Sequence, residues 1–250
     1  MKAIILCAGY GTRMLPYTEK YQKTMIPVHG KPLLEYIIDG LIFAGFKDII
    51  LVVGYLKEQI IEYFEDGKNK NINIEYVEQT ELNGTGGALL LCEDKIKSCN
   101  FFLTWGDILV PYSVYNRVYD VFNEKGDNNI LVTNYMDDLS KGCAIFSKNG
   151  YIKKMIEKPS NPKLNTNLNN CGIFILSTEI FDQIKELNLS KRGELEVPEA
   201  ISMGIQNKDW KVRIIKMKRD QFRGDFGDCE EYEKLNKDSS WLKSLTDTST

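Results

Sequence analysis

The chain has 250 residues, 43% of them apolar and 27% charged, and 32 basic against 35 acidic residues leave a net charge of −3. A chain of this length buries about 70–75% of its unfolded surface and needs no disulfides to fold; its composition excludes a disordered tail, a collagen-like repeat and a knottin-type scaffold. Without a global positive field, neither nucleic acid nor an anionic membrane is an expected partner, so a polyanionic substrate has to be met by a local cluster of Lys and Arg.

In chain order, Lys2–Cys7 reads as a strand that runs straight into Gly9-Tyr10-Gly11-Thr12-Arg13. A signal peptide would need a longer apolar core and a small-residue cleavage site there. An irregular segment extends to Lys31-Pro32, after which apolar residues at 33, 34, 37, 38, 41 and 42 predict a helix over Leu33–Ala44, with Gly45 as its stop. Asp48–Gly54 is a continuous β-branched run, the mark of a strand covered on both faces. The apolar run from Ile49 to Leu56 is far short of a membrane span. Leu56–Phe64 reads as helix, Ile72–Val77 as strand, Gly86–Lys97 as helix and Asn100–Trp105 as a strand ending at Gly106-Asp107. This alternation predicts a parallel sheet with helices on both faces.

The second half is less regular. Strands are predicted at Ile130–Tyr135, Cys143–Ser147, Tyr151–Ile156, Cys171–Ser177 and Lys211–Lys216, and helices near Thr178–Leu187, Pro198–Gly204 and Cys229–Asn236. The Asn-rich stretch Asn161–Asn170 reads as a loop and Thr246–Thr250 as a frayed end. With no internal repeat and no linker rich in Gly, Ser or Pro, one domain over 1–240 is expected, followed by a flexible tail over 241–250. The six cysteines are scattered and His29 is the single histidine, which argues against a zinc site and for reduced thiols in a cytoplasmic enzyme.

Ligands of open α/β sheets bind beyond the carboxyl ends of the strands, and three features fall there. Gly9-Tyr10-Gly11-Thr12-Arg13 follows the first strand directly; its glycines allow close approach of a phosphate and its amides can bind the oxygens. Met14 stands where a dinucleotide fingerprint needs its third glycine, and no Gly-Lys-Ser/Thr of a P-loop follows. Arg13, Lys20, Lys23 and Lys31 form a local cationic run suited to a triphosphate, opposed over 1–31 by Glu19 alone. Asp107, at a strand end, and Asp225 or Asp228 are carboxylates of the kind Mg²⁺ takes with phosphate oxygens and water. Each feature also has a plainer reading: a tight turn, a solvated lysine-rich loop, a structural carboxylate.

The order of the motifs is more specific than any one of them. Ala8–Arg13, Pro16-x-Thr18, Lys23, Pro27-Val28, Lys31-Pro32, Gln79 and Asn83–Ala88 resemble, in this sequence, the signature of the sugar-phosphate nucleotidylyltransferases, also called nucleoside-diphosphate-sugar pyrophosphorylases. Gly106-Asp107, Lys141-Gly142, Glu157-Lys158-Pro159, Asn170–Phe174 and Asp225-x-Gly227 continue that order, and Arg192–Glu196 is similar to the glucose-1-phosphate thymidylyltransferase branch. The likeness covers roughly residues 1–236 and implies an α/β fold, a Rossmann-like three-layer α/β/α sandwich with a mostly parallel mixed sheet. It also implies transfer of a nucleotidyl group from an NTP to a phosphorylated acceptor, most simply a sugar 1-phosphate, with release of pyrophosphate.

By the same resemblance, Leu6, Ala8, Gly9, Gly11, Thr12, Arg13, Lys23, Gln79, Gly84 and Thr85 hold the nucleotide, and Arg13 with Lys23 stabilises the departing pyrophosphate. Lys158 holds the acceptor phosphate, Gly142, Glu157 and Asn170 contact the acceptor, and Asp107 with Asp225 carries Mg²⁺. Arg13, Lys23, Asp107 and Lys158 are the catalytic set so implied. Plainer roles stay open for Lys31 as an ordering residue of its turn, Thr85 as a helix cap, His29 as a turn residue and Cys171 as a small apolar filler.

Three positions depart from the family pattern. Gln22 replaces the usual Pro before Lys23 and is expected to loosen that loop; Val197-Pro198-Glu199 removes a hydroxyl expected near the sugar; and Asp228 replaces a Thr, adding negative charge near the metal. A CTP-dependent cytidylyltransferase acting on a non-sugar phosphate such as phosphocholine is therefore one alternative. A GT-A glycosyltransferase is another, though Asp107-Ile108-Leu109 lacks its Asp-x-Asp. A binding-only regulatory protein is a third, opposed by the joint presence of Arg13, Lys23, Asp107, Lys158 and Asp225. The length is expected to leave no room for an added β-helix acyltransferase domain. Homo-oligomerisation is common among such enzymes and is not legible in the sequence.

Overall fold

The structure is a computed structural model that describes residues 1–160 and 164–247. In chain order it forms β1 (Ala3–Cys7), α1 (Tyr17–Lys20), the short strands β2 (Pro27–Val28) and β3 (Lys31–Pro32), α2 (Leu33–Phe43), β4 (Asp48–Val53), α3 (Lys57–Phe64) and β5 (Asn73–Glu78). There follow α4 (Gly84–Leu90), β6 (Asn100–Trp105), β7 (Ile108–Leu109), α5 (Tyr112–Lys125), β8 (Asn129–Tyr135), β9 (Cys143–Lys148), β10 (Tyr151–Glu157) and β11 (Leu168–Ser177). The remainder is α6 (Ile180–Lys185), α7 (Val197–Asn207), β12 (Val212–Lys216), β13 (Gly224–Asp225), α8 (Cys229–Lys237) and α9 (Trp241–Thr246). The class is the expected one, mixed α/β with a central, mostly parallel sheet. Among the described residues no helix is long and apolar enough to cross a membrane.

Two compact units compose the chain: Met1–Leu82 with Thr104–Tyr119 and the chain from Gln221 on, and Asn83–Leu103 with Asp120–Asp220. In the first unit β1 pairs in parallel with β4, from Ala3↔Ile49 to Cys7↔Val53, and β4 with β5, from Asp48↔Asn73 to Val53↔Glu78. The pairing is in step, so the three strands end level, and the segments that follow them emerge at one edge. Ile49–Val53 are each no more than 1% exposed, as a strand covered on both faces requires. The second unit is more antiparallel: β8 pairs in parallel with β12 but antiparallel with β11, and β10 runs antiparallel to both β9 and β12. β11 carries a register shift between Asn170 and Phe174, with Gly172 at φ +78°. A bulge there re-aims the flanking side chains.

Four expectations are corrected. Helix α5 has no counterpart in the sequence reading, because its three Tyr and three Val residues favour strands and have modest helix propensity; burial of Tyr112, Val114, Tyr115 and Val118 overrides that preference. The helix expected over Gly86–Lys97 starts at Gly84, ends at Leu90 and gives way to a 3-10 turn at Glu93–Lys95. Leu168–Asn170, expected in a loop, opens strand β11 and is buried; Asn161–Pro162-Lys163 lie outside the described residues. The expected flexible tail begins instead with α9, where Trp241 and Leu245 are buried; residues 248–250 lie outside the described residues. Trp241 stacks on Phe222 at 5.2 Å and donates from Nε1 to Leu235 O at 2.8 Å. His29, a turn residue at φ +48° as expected, hydrogen-bonds Leu235 O through Nε2 at 2.9 Å.

Candidate active site

At the carboxyl edge of the first unit, Ala8 O accepts from Tyr55 N at 3.0 Å, Gln79 N donates to Val53 O at 2.8 Å, and Gly106 N donates to Leu6 O at 3.0 Å. The backbones of Leu6, Ala8 and Gln79 are thus fixed by sheet-like bonds, with Ala8 and Gln79 buried. Gly106 must be glycine: a Cβ there would stand 2.8 Å from Leu6 O and 2.9 Å from the Cys7 sulfur. Above Gly9 a Cβ would meet nothing within 4 Å, so this stretch of backbone faces open space. Gly11, at φ +64°, turns the chain into the 3-10 turn Thr12–Met14. Met14 is fully buried and pins the turn, leaving Thr12 and Arg13 exposed.

Lys23 stands in a second 3-10 turn, Lys23–Met25, and Gln22 anchors it. The Gln22 amide is 1% exposed; Nε2 donates to Cys7 O at 2.5 Å and Oε1 accepts from Thr24 N and Thr24 Oγ1, each at 2.6 Å. The expected loosening is therefore reversed, because Gln22 ties the lysine turn to the end of β1.

Lys23 Nζ lies 2.5 Å from Asp107 Oδ2, with the two side chains 13% and 27% exposed. Burial alone would raise the Asp107 pKa, but the charge and hydrogen bond of Lys23, with Arg223 and Arg13 beyond it, hold the carboxyl below its ordinary value. Asp225 pairs in register with Ile108, Phe226 N donates to Asp107 O at 2.9 Å, and Arg223 Nη2 lies 3.0 Å from Asp225 Oδ2. A Cβ on Gly227 would stand 2.8 Å from Asp225 Oδ1 and 3.5 Å from Arg13 Nη2, so glycine keeps open the space that the aspartate and the arginine border.

Of the four cations read from the opening segment, Arg13 and Lys23 act on Asp107. Lys31 pairs instead with Asp39 and lies over the Tyr36 ring, and Lys20 lies over Tyr21. Arg223, which the sequence reading missed, takes part; its only sequence signal is its place two residues before Asp225. Asp228 caps α8, accepting from Glu231 N at 3.1 Å, so its carboxylate serves the helix end.

The second unit holds the remaining candidates. Gly84, at φ +97°, leaves no room for a side chain, since a Cβ would stand 2.4 Å from Leu195 O. Thr85 lies within α4, and its Oγ1 accepts from Val197 N at 3.1 Å; the hydroxyl thus serves the start of α7 rather than that of its own helix. Gly142 is held between Leu139 O, which accepts its N–H at 3.0 Å, and Lys158, whose N–H donates to Gly142 O at 2.8 Å. Lys158 adopts φ +41°, a left-handed conformation that costs a non-glycine residue roughly 1–2 kcal/mol, and among the described residues it makes no salt bridge. Asn170 is 8% exposed and its Oδ1 accepts from Gly172 N at 2.8 Å across the bulge. Asn169, absent from the sequence candidates, fixes the neighbourhood by accepting from Cys143 N and donating to Asn134 Oδ1, both at 2.9 Å.

Glu157 is exposed as a residue, but its carboxylate is crowded. Desolvation and then the charge of Glu196 push its pKa up, opposed by Lys158, the Cys143 thiol and Arg192. Glu196 is itself buried and bonded by Arg192 Nη2 at 2.5 Å. Replacing Glu196 by Gln removes the second of these causes and is expected to bring the Glu157 pKa down. A ¹³C carboxyl titration checks this; an unmoved midpoint would leave burial as the whole cause.

The nucleotidyl transferase family profile matches residues 2–240. The chain is 40% identical over 202 residues to a bifunctional protein GlmU of Methanococcus aeolicus, covering 80% of this chain and 46% of the relative. It is 35% identical to the UTP–glucose-1-phosphate uridylyltransferase AglF of Haloferax volcanii, covering 83% and 84%. The chain spans about half the length of the GlmU relatives it matches. A UDP-glucose pyrophosphorylase solved with UDP-glucose superposes with a TM-score of 0.84 at 26% identity, covering 97% of this chain and 98% of that one.

Proposed function

Because the chain belongs to the nucleotidyl transferase family, we propose that it is a cytoplasmic, Mg²⁺-dependent sugar-1-phosphate nucleotidylyltransferase, joining an NTP and a sugar 1-phosphate into a nucleoside-diphosphate sugar and pyrophosphate. The observation that carries the reading is the Lys23–Asp107 pair beside the glycine loop, with Arg13 and Arg223 acting on the same carboxylate. The named relatives favour this acceptor over a non-sugar phosphate and over glycosyl transfer. UTP with glucose 1-phosphate, the pair named for the Haloferax relative, is the first combination to test.

The acceptor phosphate oxygen attacks the α-phosphorus in line, and pyrophosphate leaves. Both reactants are anions, so the protein's work is to hold them aligned and offset their repulsion. Amides of Gly9, Gly11 and Thr12 bind triphosphate oxygens, and the cations Arg13 and Lys23 stabilise the charge that collects on pyrophosphate. Backbone atoms of Leu6, Ala8, Gln79 and Gly84, with Thr85, receive the nucleoside; Thr85 does so while its hydroxyl also accepts from Val197. Lys158 holds the acceptor phosphate, and Glu157, Asn170 and the Gly142 backbone contact the sugar.

The donor set of Asp107 and Asp225 fits a hard divalent ion: two carboxylates, one just before β7 and one on its partner strand β13, each beside a cation, with Gly227 keeping space open next to Asp225. Mg²⁺ held there would polarise the α-phosphate.

Pyrophosphate release with Mg²⁺ is the test, run with UTP, dTTP, CTP and GTP against hexose 1-phosphates and phosphocholine. Turnover with a sugar 1-phosphate is expected. Turnover with phosphocholine alone would overturn the acceptor, and none with any pair would overturn the activity. Lys158→Ala is expected to raise the acceptor KM about 10- to 100-fold, the scale of one charge-assisted contact, with little change in the nucleotide KM. The opposite split would assign Lys158 to the nucleotide.

A further inference from the structure

The crest of the glycine loop carries an aromatic side chain that the mechanism above leaves unused. Tyr10 stands between Gly9 and Gly11 and is 57% exposed. Its ring rests against Tyr55, with centroids 5.2 Å apart at 58°, and its hydroxyl has no hydrogen-bond partner among the described residues.

The rest of the loop is fixed. Ala8 O is tied to Tyr55 N at 3.0 Å, Gly11 O accepts from Thr18 Oγ1 at 3.1 Å, and Tyr55 Oη donates to Thr18 O at 3.0 Å. Tyr55 is therefore an anchored platform, and Tyr10 is a phenol laid on it beside the open backbone at Gly9. A phenol O–H is a strong neutral donor to a phosphate oxygen. A ring already resting on a neighbour has less rotamer freedom to lose when it makes that bond.

We infer that Tyr10 is a nucleotide-positioning residue whose hydroxyl donates to an oxygen of the triphosphate tail, with Tyr55 as the platform that holds its ring. The inference rests on the reading of this loop as the triphosphate cradle. The contact is to the tail, so pyrophosphate shares it and the acceptor does not. Being neutral, Tyr10 adds a donor without adding to the positive charge of Arg13 and Lys23.

The experiment is calorimetric titration of the full chain with inorganic pyrophosphate in the presence of Mg²⁺, for the wild type, Tyr10→Phe and Tyr10→Ala, beside steady-state turnover. In Tyr10→Phe, pyrophosphate affinity is expected to fall about 5- to 10-fold, the scale of one hydrogen bond to a charged group at an accessible site. The NTP KM is expected to rise by a similar factor, with the acceptor KM and the melting temperature unchanged. Tyr10→Ala is expected to lose at least as much. A Tyr10→Phe variant that binds pyrophosphate like the wild type, or one whose loss tracks a lowered melting temperature, overturns the inference while leaving the cradle intact. A wild type that neither binds nor releases pyrophosphate overturns the cradle and the inference together.

Discussion

Lys23→Ala is expected to lower turnover by about 10²- to 10³-fold, the scale of losing one preorganised electrostatic contact to a transition state. Lys23 is held from two sides: its turn is capped by Gln22, which is itself bonded to the end of β1, and its ammonium lies 2.5 Å from Asp107. Truncation removes a cation whose position those contacts fix. The fold itself is expected to lose little, because Arg13 and Arg223 still favour the ionised form of Asp107. Rapid-quench measurement of pyrophosphate release checks the prediction; a variant that turns over at the wild-type rate removes Lys23 from the mechanism.

Asp107→Asn is expected to cost as much in turnover without weakening the binding of the metal-free phosphate ligand. The amide keeps the shape and loses the charge, so Lys23, Arg13 and Arg223 are left with less counter-charge. Titrated without Mg²⁺, pyrophosphate and NTP should then bind as tightly or more tightly, while turnover falls about 10²-fold or more. Calorimetry with metal-free pyrophosphate and a melting curve, run beside the assay, separate the two effects; a melting temperature lowered along with binding and turnover would make Asp107 a structural residue. Lys23→Ala and Asp107→Asn combined should cost less than the two losses added, since the groups act on each other.

The pH dependence has a defined sign. A carboxyl held below its ordinary value stabilises the fold above the unfolded-chain pKa of about 3.9, and that contribution is lost as pH falls through the folded value. Asp107 is thus expected to stabilise the fold at neutral pH, to lose that contribution in acid, and to contribute no titration to the rate above about pH 5.

Much of the candidate site was legible because its chemistry is local in sequence. Gly9 to Arg13 sit at the end of a strand that the apolar run Ala3–Cys7 announces, and Asp107 sits at the end of another. Glu157 and Lys158 adjoin a strand end in the same way. Such positions can be placed from the sequence because strand periodicity fixes where the chain leaves the sheet. What was misread depended on distant partners. Gln22 looked like a loosened proline position, yet its two amide atoms join β1 to the lysine turn. Lys31 looked like a fourth phosphate cation, yet Asp39, eight residues on and in α2, takes its charge. Asp228 looked like extra charge for a metal, yet it closes a helix. Helix α5 carried a usable signal in Val114, Tyr115, Val118, Val121 and Phe122, whose spacing is helical despite their strand propensity.

The sequence by itself determined the strand–loop order, the glycine positions, the family and the residue types able to meet a triphosphate, a metal ion and an acceptor phosphate. These follow from backbone conformation and from charge type, which are properties of neighbouring residues. Only the tertiary structure decided which cations share a carboxylate, that Arg223 joins Arg13 and Lys23 around Asp107, and that Glu196 presses on Glu157. Electrostatic coupling falls with distance through space and takes no account of separation along the chain. Lys23 and Asp107 are 84 residues apart in sequence and 2.5 Å apart in the fold.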